Sequence, residues 1–386
     1  MRKSPHSVRV LFCCTGVGIF NRGLESFFRE AFDGLKGTPG LEAWLIKGKG
    51  ERKENEFPVW CLPRTGQCAR WLGKMFNRSA YAAEQWSSFF PVVREIRRLR
   101  PDVIFYSDAN LGFQLFFRRQ WIGVPYRLLY SNGGPVSPPF DRTDFVHQVA
   151  PAYHQEALAA GEPERKHFMV PYGIHVPPLP RVDPEAKAAL RRRLNLPCDP
   201  PVVLSVGWIS REHKRMHYVV EELSRLPEPR PFLQLLGAMD DSSREVLALA
   251  DRLLGPKNYS ARSVPYAEVS DFYRAADVFV LGSLREGFGR VYLEALMHGL
   301  PVIAHQHPVM DYVLGGQGIL GDLSRPHELT ALLSRELQTP RDDSTARERW
   351  ETVRRRFSWP ELAEDYLAMF NEVLEKKEVR VACESR

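Results

Sequence analysis

Residues 278–304 read VFVLGSLREGFGRVYLEALMHGLPVIA, and the succession of residue types in that stretch decides the fold. The apolar run VFVL has the look of a strand buried on both faces. The loop after it carries Gly287 and Gly289, and a helix is expected to begin near Arg290. Beyond that helix Pro301–Ala304 is again short and apolar, so the stretch reads as one strand–helix–strand unit of a parallel sheet. The glycines allow backbone N–H groups to approach an anion closely, and the helix N-terminus adds positive potential. Glu286 lies in the loop and Glu294 just over one turn into the helix, so both carboxylates can face one pocket.

The same alternation runs through the chain twice. Val8–Cys14, Leu41–Lys47, Val103–Tyr106 and Tyr126–Tyr130 read as strands of a first series; Val202–Val206, Phe232–Leu236, Val278–Leu281 and Pro301–Ala304 read as strands of a second. Between the series stands HVPPLPRVDPE, residues 175–185, whose prolines break both helix and sheet and so mark a linker. With 386 residues the chain exceeds what one hydrophobic core organises, and two domains follow: 1–176, and 195–357. In FSWPELAEDYLAMFNEVLEKK the apolar positions Leu362, Tyr366, Met369, Phe370 and Val373 recur at helical spacing. That helix, 358–377, is expected to cross back onto the first domain, and EVRVACESR after it reads as a polar tail. Each series places the carboxyl ends of its strands where such sheets bind ligands, and the two sets are expected to meet around a cleft.

Composition narrows the function classes. Hydrophobic residues at 44% and charged residues at 26%, with no low-complexity tract, exclude a disordered chain. No apolar run reaches about 18 residues, and the apolar stretch near the N-terminus is short, so neither a spanning helix nor a cleaved signal is expected. The cysteines at 13, 14, 61, 68, 198 and 383 form no CxxC pair, which points to a reducing, cytoplasmic setting. Residues 1–175 carry 24 Lys/Arg against 16 Asp/Glu, a balance of +8, whereas residues 176–386 carry 29 against 31, a balance of −2. A basic first half suits a solvated face, an anionic acceptor or peripheral contact with the anionic inner membrane face. Nucleic acid is excluded as a partner, because the basic excess is diffuse and no nucleic-acid-binding motif accompanies it.

A strand, a glycine loop and a helix occur in many nucleotide-binding folds. The whole string is more specific: Glu286-GFGRVYL-Glu294, followed by Ala-Leu-Met-His-Gly-Leu-Pro-Val-Ile-Ala, resembles the E-x7-E signature of the retaining glycosyltransferases of family GT4, which have the GT-B fold. Further matching stretches are NRGLESF at 21–27, VPYGI at 170–174, VLSVGWISREHKRMHYVV at 203–220, VPYAEVSDFYRAADVFVLGS at 264–283 and FSWPELAEDY near the end. The resemblance implies an α/β protein of two Rossmann-like domains, the second binding a nucleoside-diphosphate sugar and the first binding a carbohydrate, lipid-linked or small-molecule acceptor. It implies that Glu294 binds the ribose hydroxyls and that Glu286 approaches the donor sugar. The amides of Gly287, Phe288 and Gly289 would hold sugar hydroxyls, with Arg290, Val291 and Val264 also on the donor side. Lys214 falls where the family keeps a lysine against the diphosphate, and a cation there stabilises the leaving group as its charge develops. Gly23 matches a close backbone approach to the phosphates from the first domain. No metal and no cofactor are implied, the nucleotide sugar being a co-substrate.

The departures are specific. Gly207-Trp208 stands where many members have Gly-Arg, so a diphosphate arginine is missing and Arg211 or Arg215 is the candidate replacement. Where many members end a first-domain strand with His, this chain has Ser131-Asn132-Gly133-Gly134; Asn132 can hydrogen-bond a sugar hydroxyl but cannot titrate. His298 and His305 flank a strand and read as structural, and Arg94, Arg97, Arg98 and Arg100 read as a solvated end of a helix at 89–99 or an anionic-surface contact. The alternatives to a retaining hexosyltransferase are a non-catalytic nucleotide-sugar-binding protein and another activity on the same fold, such as nucleotide-sugar epimerisation.

Overall fold

The computed structural model describes residues 7–20, 22–134, 136–179, 183–340 and 342–376. The chain divides into two compact units, Met1–His175 with Phe357–Arg386, and Val176–Arg356. In the first, β1 (Val8–Cys13), β2 (Leu41–Lys47), β3 (Glu56–Pro58), β4 (Val103–Tyr106), β5 (Arg127–Asn132), β6 (Phe145–Gln148) and β7 (His167–Met169) form a parallel sheet in the order β3-β2-β1-β4-β5-β6-β7. In the second, β8 (Val202–Val206), β9 (Phe232–Leu236), β10 (Tyr259–Arg262), β11 (Val278–Val280), β12 (Val302–His305) and β13 (Ile319–Gly321) form another, ordered β10-β9-β8-β11-β12-β13. Both units are doubly wound α/β folds, as expected. In each the strand order reverses direction once, between β1 and β4 and between β8 and β11, and the crevice beyond the carboxyl ends of those pairs is where such a sheet binds ligands.

The inner strands are unbroken apolar runs because helices cover both faces. VRVLFC in β1 and VVLSV in β8 are buried almost throughout. The core of the first unit is aromatic: Phe12 meets Phe105 and Phe370 edge-on at 5.6 and 6.0 Å, and Tyr172 stacks on Phe27 at 3.6 Å. The helix Trp359–Glu375 supplies part of that core, since Leu362, Tyr366, Met369, Phe370 and Val373 are all buried and the helix packs on β1, β4, β5 and the helix Gly23–Leu35. The segment expected as a tail, 378–386, lies outside the described residues, as does Asn21 of NRGLESF.

Two kinds of strand escape a reading by apolar runs. β3, β7 and β13 are only three residues long, and β10 (YSAR) is a half-buried edge. β6 reads FVHQ, and its His147 and Gln148 are fully buried; both are hydrogen-bonded, and the His147 ring also packs against Phe105 and Tyr366. Within the proline-rich segment, Pro184 and Glu185 open the helix Pro184–Arg193, whose N-cap Asp183 accepts a hydrogen bond from the Glu185 N–H at 3.0 Å; residues 180–182 lie outside the described residues. That helix belongs to the second unit, with Lys187 paired to Asp277 at 2.8 Å.

Candidate functional site

At the carboxyl end of β8 the chain turns at Gly207, with φ 150°, and passes so close to Gly237 that a Cβ on Gly237 would lie 1.8 Å from the Gly207 carbonyl oxygen. The stem of Lys214 packs over Gly207, with Cε, Cδ and Cγ 3.2–3.3 Å from where a Cβ would stand. Its ammonium thereby reaches the loop after β11, where Nζ donates to Glu286 Oε1 at 2.6 Å. Both groups are largely buried, so the ion pair is screened less than a surface pair would be. The two loops are fastened together: Ser283 Oγ donates to the His213 carbonyl at 3.0 Å, and Arg215 Nη1 to the carbonyls of Gly282 and Leu323 at 3.0 and 2.8 Å.

Gly289 caps the helix Arg290–Met297 with φ 78°, the left-handed region that glycine enters without strain, and the helix begins where the loop points. Phe288, Arg290 and Glu294 are buried, Gly287 half so. Glu294 is oriented by the neighbouring helix Tyr266–Ala275: Tyr273 donates to Oε2 at 3.0 Å and Tyr266 to Oε1 at 3.3 Å. Burial, with Glu294 beside it, pushes the Tyr273 hydroxyl well above its ordinary range, so it stays a donor. A carboxylate has two acceptor oxygens, the arrangement that suits a vicinal diol. His298 closes the arrangement. Its Nδ1 lies 2.7 Å from the Glu294 carbonyl and must donate to it; Nε2 therefore accepts from Ser270 Oγ at 2.7 Å, and the ring stacks on Tyr273 at 5.5 Å. Val291 receives the Tyr273 hydroxyl at its carbonyl at 3.3 Å, and Val264 stands half-buried in the loop before Tyr266. The Tyr292 hydroxyl is buried with no hydrogen-bond partner, and burial, with Glu286 nearby, raises it well above its ordinary range.

The structure thus brings together Lys214, Glu286, Glu294 and the loop Gly287–Gly289 at the switch point of the second sheet. Arg211 is placed differently: it is half-exposed and lies 3.6 Å from Glu245. Arg215 is committed to backbone carbonyls and to the Tyr218 ring, 4.5 Å away. Tyr266, Tyr273 and His298, which hold Glu294, were not marked as site residues by the sequence, because nothing in the spacing of the chain tells which helix will lie beside Glu294. Among the described residues no three His, Cys, Asp or Glu side chains gather as a metal-binding group.

In the first unit Gly23 opens the helix Gly23–Leu35, and a Cβ there would meet nothing within 4 Å. Asn132 ends β5 and is 1% exposed; its Nδ2 donates to Gln148 Oε1 at 2.9 Å and to the Val136 carbonyl at 3.3 Å, while Oδ1 is buried without a partner. At the β1/β4 switch point a polar cluster surrounds Asp108, which accepts from Thr15 N–H, Thr15 Oγ1 and Gln85 Nε2 at 2.6, 2.7 and 3.1 Å. Burial holds both Asp108 and the nearby Glu25 above the usual carboxylate range. Of the arginines at 94–100, Arg97 donates to the carbonyls of Ile122 and Trp121, Arg98 pairs with Glu95, and Arg94 is exposed.

A cavity of about 520 Å³ also lies in the second unit, lined by Pro201, Asp277 and Pro301. These residues sit at the amino ends of β8, β11 and β12, the end opposite the Lys214–Glu286 pair, and Asp277 there is shared between Lys187 and Arg191.

Residues 186–352 match the family model of glycosyl transferases group 1. The chain is 33% identical over 233 residues to a D-inositol 3-phosphate glycosyltransferase of Xylanimonas cellulosilytica, covering 55% of this chain and 52% of that one. To the lipopolysaccharide core biosynthesis glycosyltransferase LpsE of Rhizobium meliloti it is 32% identical over 135 residues, 34% of this chain and 38% of that one. It spans about half the length of the D-inositol 3-phosphate glycosyltransferases it matches. In fold it is similar to a glycosyltransferase from Rickettsia africae, with TM-score 0.74 and 16% identity over 96% of this chain and all of that one. It is also similar to Anabaena Alr3699/HepE in complex with UDP and glucose, with TM-score 0.72 and 18% identity over 94% of this chain and 99% of that one. The fold is GT-B.

Proposed function

We propose, from the match of residues 186–352 to the family model of glycosyl transferases group 1, that the protein transfers a sugar from a nucleoside diphosphate to an acceptor with retention at the anomeric carbon. The observation that carries this reading is the buried Lys214–Glu286 pair beside the helix bearing Glu294. When the bond between sugar and diphosphate breaks, charge grows on the leaving oxygen; a fixed ammonium in a poorly screened pocket stabilises that state more than the ground state. Lys214 takes this part, and the N-terminus of the helix Arg290–Met297 adds to it. Glu286, drawn against Lys214 in the free protein, exchanges that contact for the donor sugar. Glu294, held by Tyr266 and Tyr273, accepts from the ribose hydroxyls. The nucleotide sugar is a co-substrate, and the countercharge comes from side chains and backbone, so neither a metal nor a cofactor takes part. The acceptor is a carbohydrate, a lipid-linked sugar or a small molecule bound by the first unit, whose basic excess suits an anionic one. The five described cysteines are all free, which fits a cytoplasmic setting.

A panel of UDP-, GDP-, ADP- and TDP-sugars, scored for binding and for consumption with acceptor or water, tests the reading. At least one donor should be consumed, and EDTA should leave the rate unchanged. Glu294→Ala should weaken that donor's binding by about 1–3 kcal/mol, the cost of unsatisfied buried hydroxyls. Binding without any consumption would turn the reading to a non-catalytic protein, and loss of activity in EDTA restored by magnesium or manganese would overturn metal independence.

A further inference from the structure

Thirteen large hydrophobic side chains are exposed among the described residues, and seven of them fall between residues 60 and 121: Trp60, Trp71, Met75, Phe76, Phe90, Phe117 and Trp121. Their setting is not that of scattered surface residues. The helix Gln67–Met75 buries only Ala69 and Gly73 and points Trp71 and Met75 outward. A Cβ on Gly73 would lie 2.7 Å from the Arg78 carbonyl, so the small residues are what let this helix seat closely with its large ones facing water. Several of these rings adjoin one another: Phe76 meets Trp86 at 6.2 Å, Trp86 and Phe117 line one pocket, and Trp121 meets Phe90 at 6.2 Å. An exposed apolar surface of this extent marks an interaction site.

Charge says what it meets. Residues 60–121 contain ten Lys/Arg and four Asp/Glu, and three of those four, Glu84, Glu95 and Asp108, are buried. Glu84 and Glu95 pair with Arg64 and Arg98, and the remaining cations leave this stretch net positive. The pocket at the centre, about 250 Å³, is lined by Arg78, Arg118 and Arg142 together with aromatic rings, and by no carboxylate. Arg78 and Arg118 form no ion pair among the described residues, and the nearest carboxylate to Arg142 is exposed Asp141 at 3.8 Å. Gln114 also lines the pocket, and its Nε2 is buried without a hydrogen-bond partner. Three guanidiniums and a spare amide donor match a phosphate's oxygens. Tryptophan and phenylalanine around them match the apolar side of a membrane interface, where aromatic rings settle at headgroup depth.

We propose that this face of the first unit docks on an anionic lipid bilayer, with a lipid phosphate in the Arg78–Arg118–Arg142 pocket and Trp71, Phe76, Phe117 and Trp121 set among the headgroups. No described helix is long and apolar enough to span a membrane, so the attachment is interfacial and combines two weak signals, apolar insertion and charge. Asn110, which also lines the pocket, follows β4 by four residues, so the lipid surface lies beside the β1/β4 switch point of the sheet.

The test is co-sedimentation of the full chain with phosphatidylcholine vesicles made with and without phosphatidylglycerol. The protein should pellet with the anionic vesicles only, and less as salt rises. Replacing Arg118 and Arg142 together by Gln should weaken binding roughly ten- to thirty-fold, the effect of two interfacial cations. Trp71→Ser should weaken it through the apolar signal. Both variants should keep the wild-type melting temperature and nucleotide-sugar affinity, which separates docking from the donor chemistry; docking needs no nucleotide, so its failure would leave the transferase reading standing. Equal binding to neutral vesicles, unchanged binding in both variants, or self-association in place of vesicle binding would overturn the proposal. So would release by inorganic phosphate but not by chloride of equal ionic strength, since the pocket would then be a site for free phosphate.

Discussion

Lys214 and its neighbours show how much a single side chain's role depends on where its stem is packed. Gly207 beneath the stem and Glu286 beyond the ammonium fix the lysine in place, so Lys214→Ala should lower kcat by roughly 100-fold, as deletion of one preorganised electrostatic partner does. Near-normal kcat would show that the diphosphate is neutralised elsewhere. The two arginines proposed to replace the missing one should behave differently from each other. Arg211 and Glu245 form a loose pair in water, so Arg211→Ala should cost only a few tenths of a kcal/mol in stability, as exposed pairs do. Arg215 satisfies two backbone carbonyls that tie the loop to β11 and β13, and Arg215→Ala should cost about 1–3 kcal/mol in stability. Urea melts would separate them, and equal losses would sink the distinction. Lys214, in the separate stretch 203–220, was marked only by the resemblance, whereas Glu286 and Glu294 were legible from the chain because the motif that contains them is local. Tyr266, Tyr273 and His298 were not, since their partnership with Glu294 joins two helices and is made only by packing.

The element that shapes the Lys214–Glu286–Glu294 cluster is the turn Gly287–Gly289 with the helix after it. Gly289 holds φ 78°, and a Cβ there would lie 2.7 Å from Tyr292 Cδ2 and 3.1 Å from Met310 Cε. Gly289→Ala should therefore cost more than the roughly 1–2 kcal/mol of left-handed strain alone, because the ring must also move. The ring in question neighbours Glu286, so nucleotide-sugar affinity should fall with the melting temperature. A variant with normal affinity and normal melting would remove the turn from the site. Legibility at this scale followed apolar continuity. β1, β2, β4 and β5 were readable, with ends shifted by at most two residues, as was the final helix with its five buried apolar positions. β6 was hidden because His147 and Gln148 occupy core positions that apolar reading assigns to loops.

At the scale of the whole molecule, those same polar core residues set the response to acid. His147 donates from Nε2 to the Val170 carbonyl at 2.7 Å, which leaves Nδ1 to accept from Ser131 at 3.1 Å; both nitrogens are used by the neutral ring. Burial lowers its pKa from 6.5 to about 4, and burial lowers that of His167 to about 4 as well. The unfolded chain takes up these protons near pH 6.5 and the folded chain only near 4. Between those values the unfolded state binds more protons, so stability is full above pH 6.5 and is lost as pH falls toward 4. Asp108 and Glu25 act in the opposite sense. Their folded pKa values lie above 3.8 and 4.5, so the folded state binds their protons first and gains as pH falls through that raised range. The share of the first unit's stability that rests on the neutral histidines should decline between pH 7 and pH 5. For one fully buried ring the loss is on the order of 2 kcal/mol. Urea denaturation at a series of pH values, followed by tryptophan fluorescence, measures it. His147→Gln should begin less stable at pH 7.5, because it breaks the Ser131–His147–Val170 chain, yet lose less between pH 7 and pH 5 than the parent does. An equal decline in the two proteins would show that the acid sensitivity arises outside the β5–β6 core.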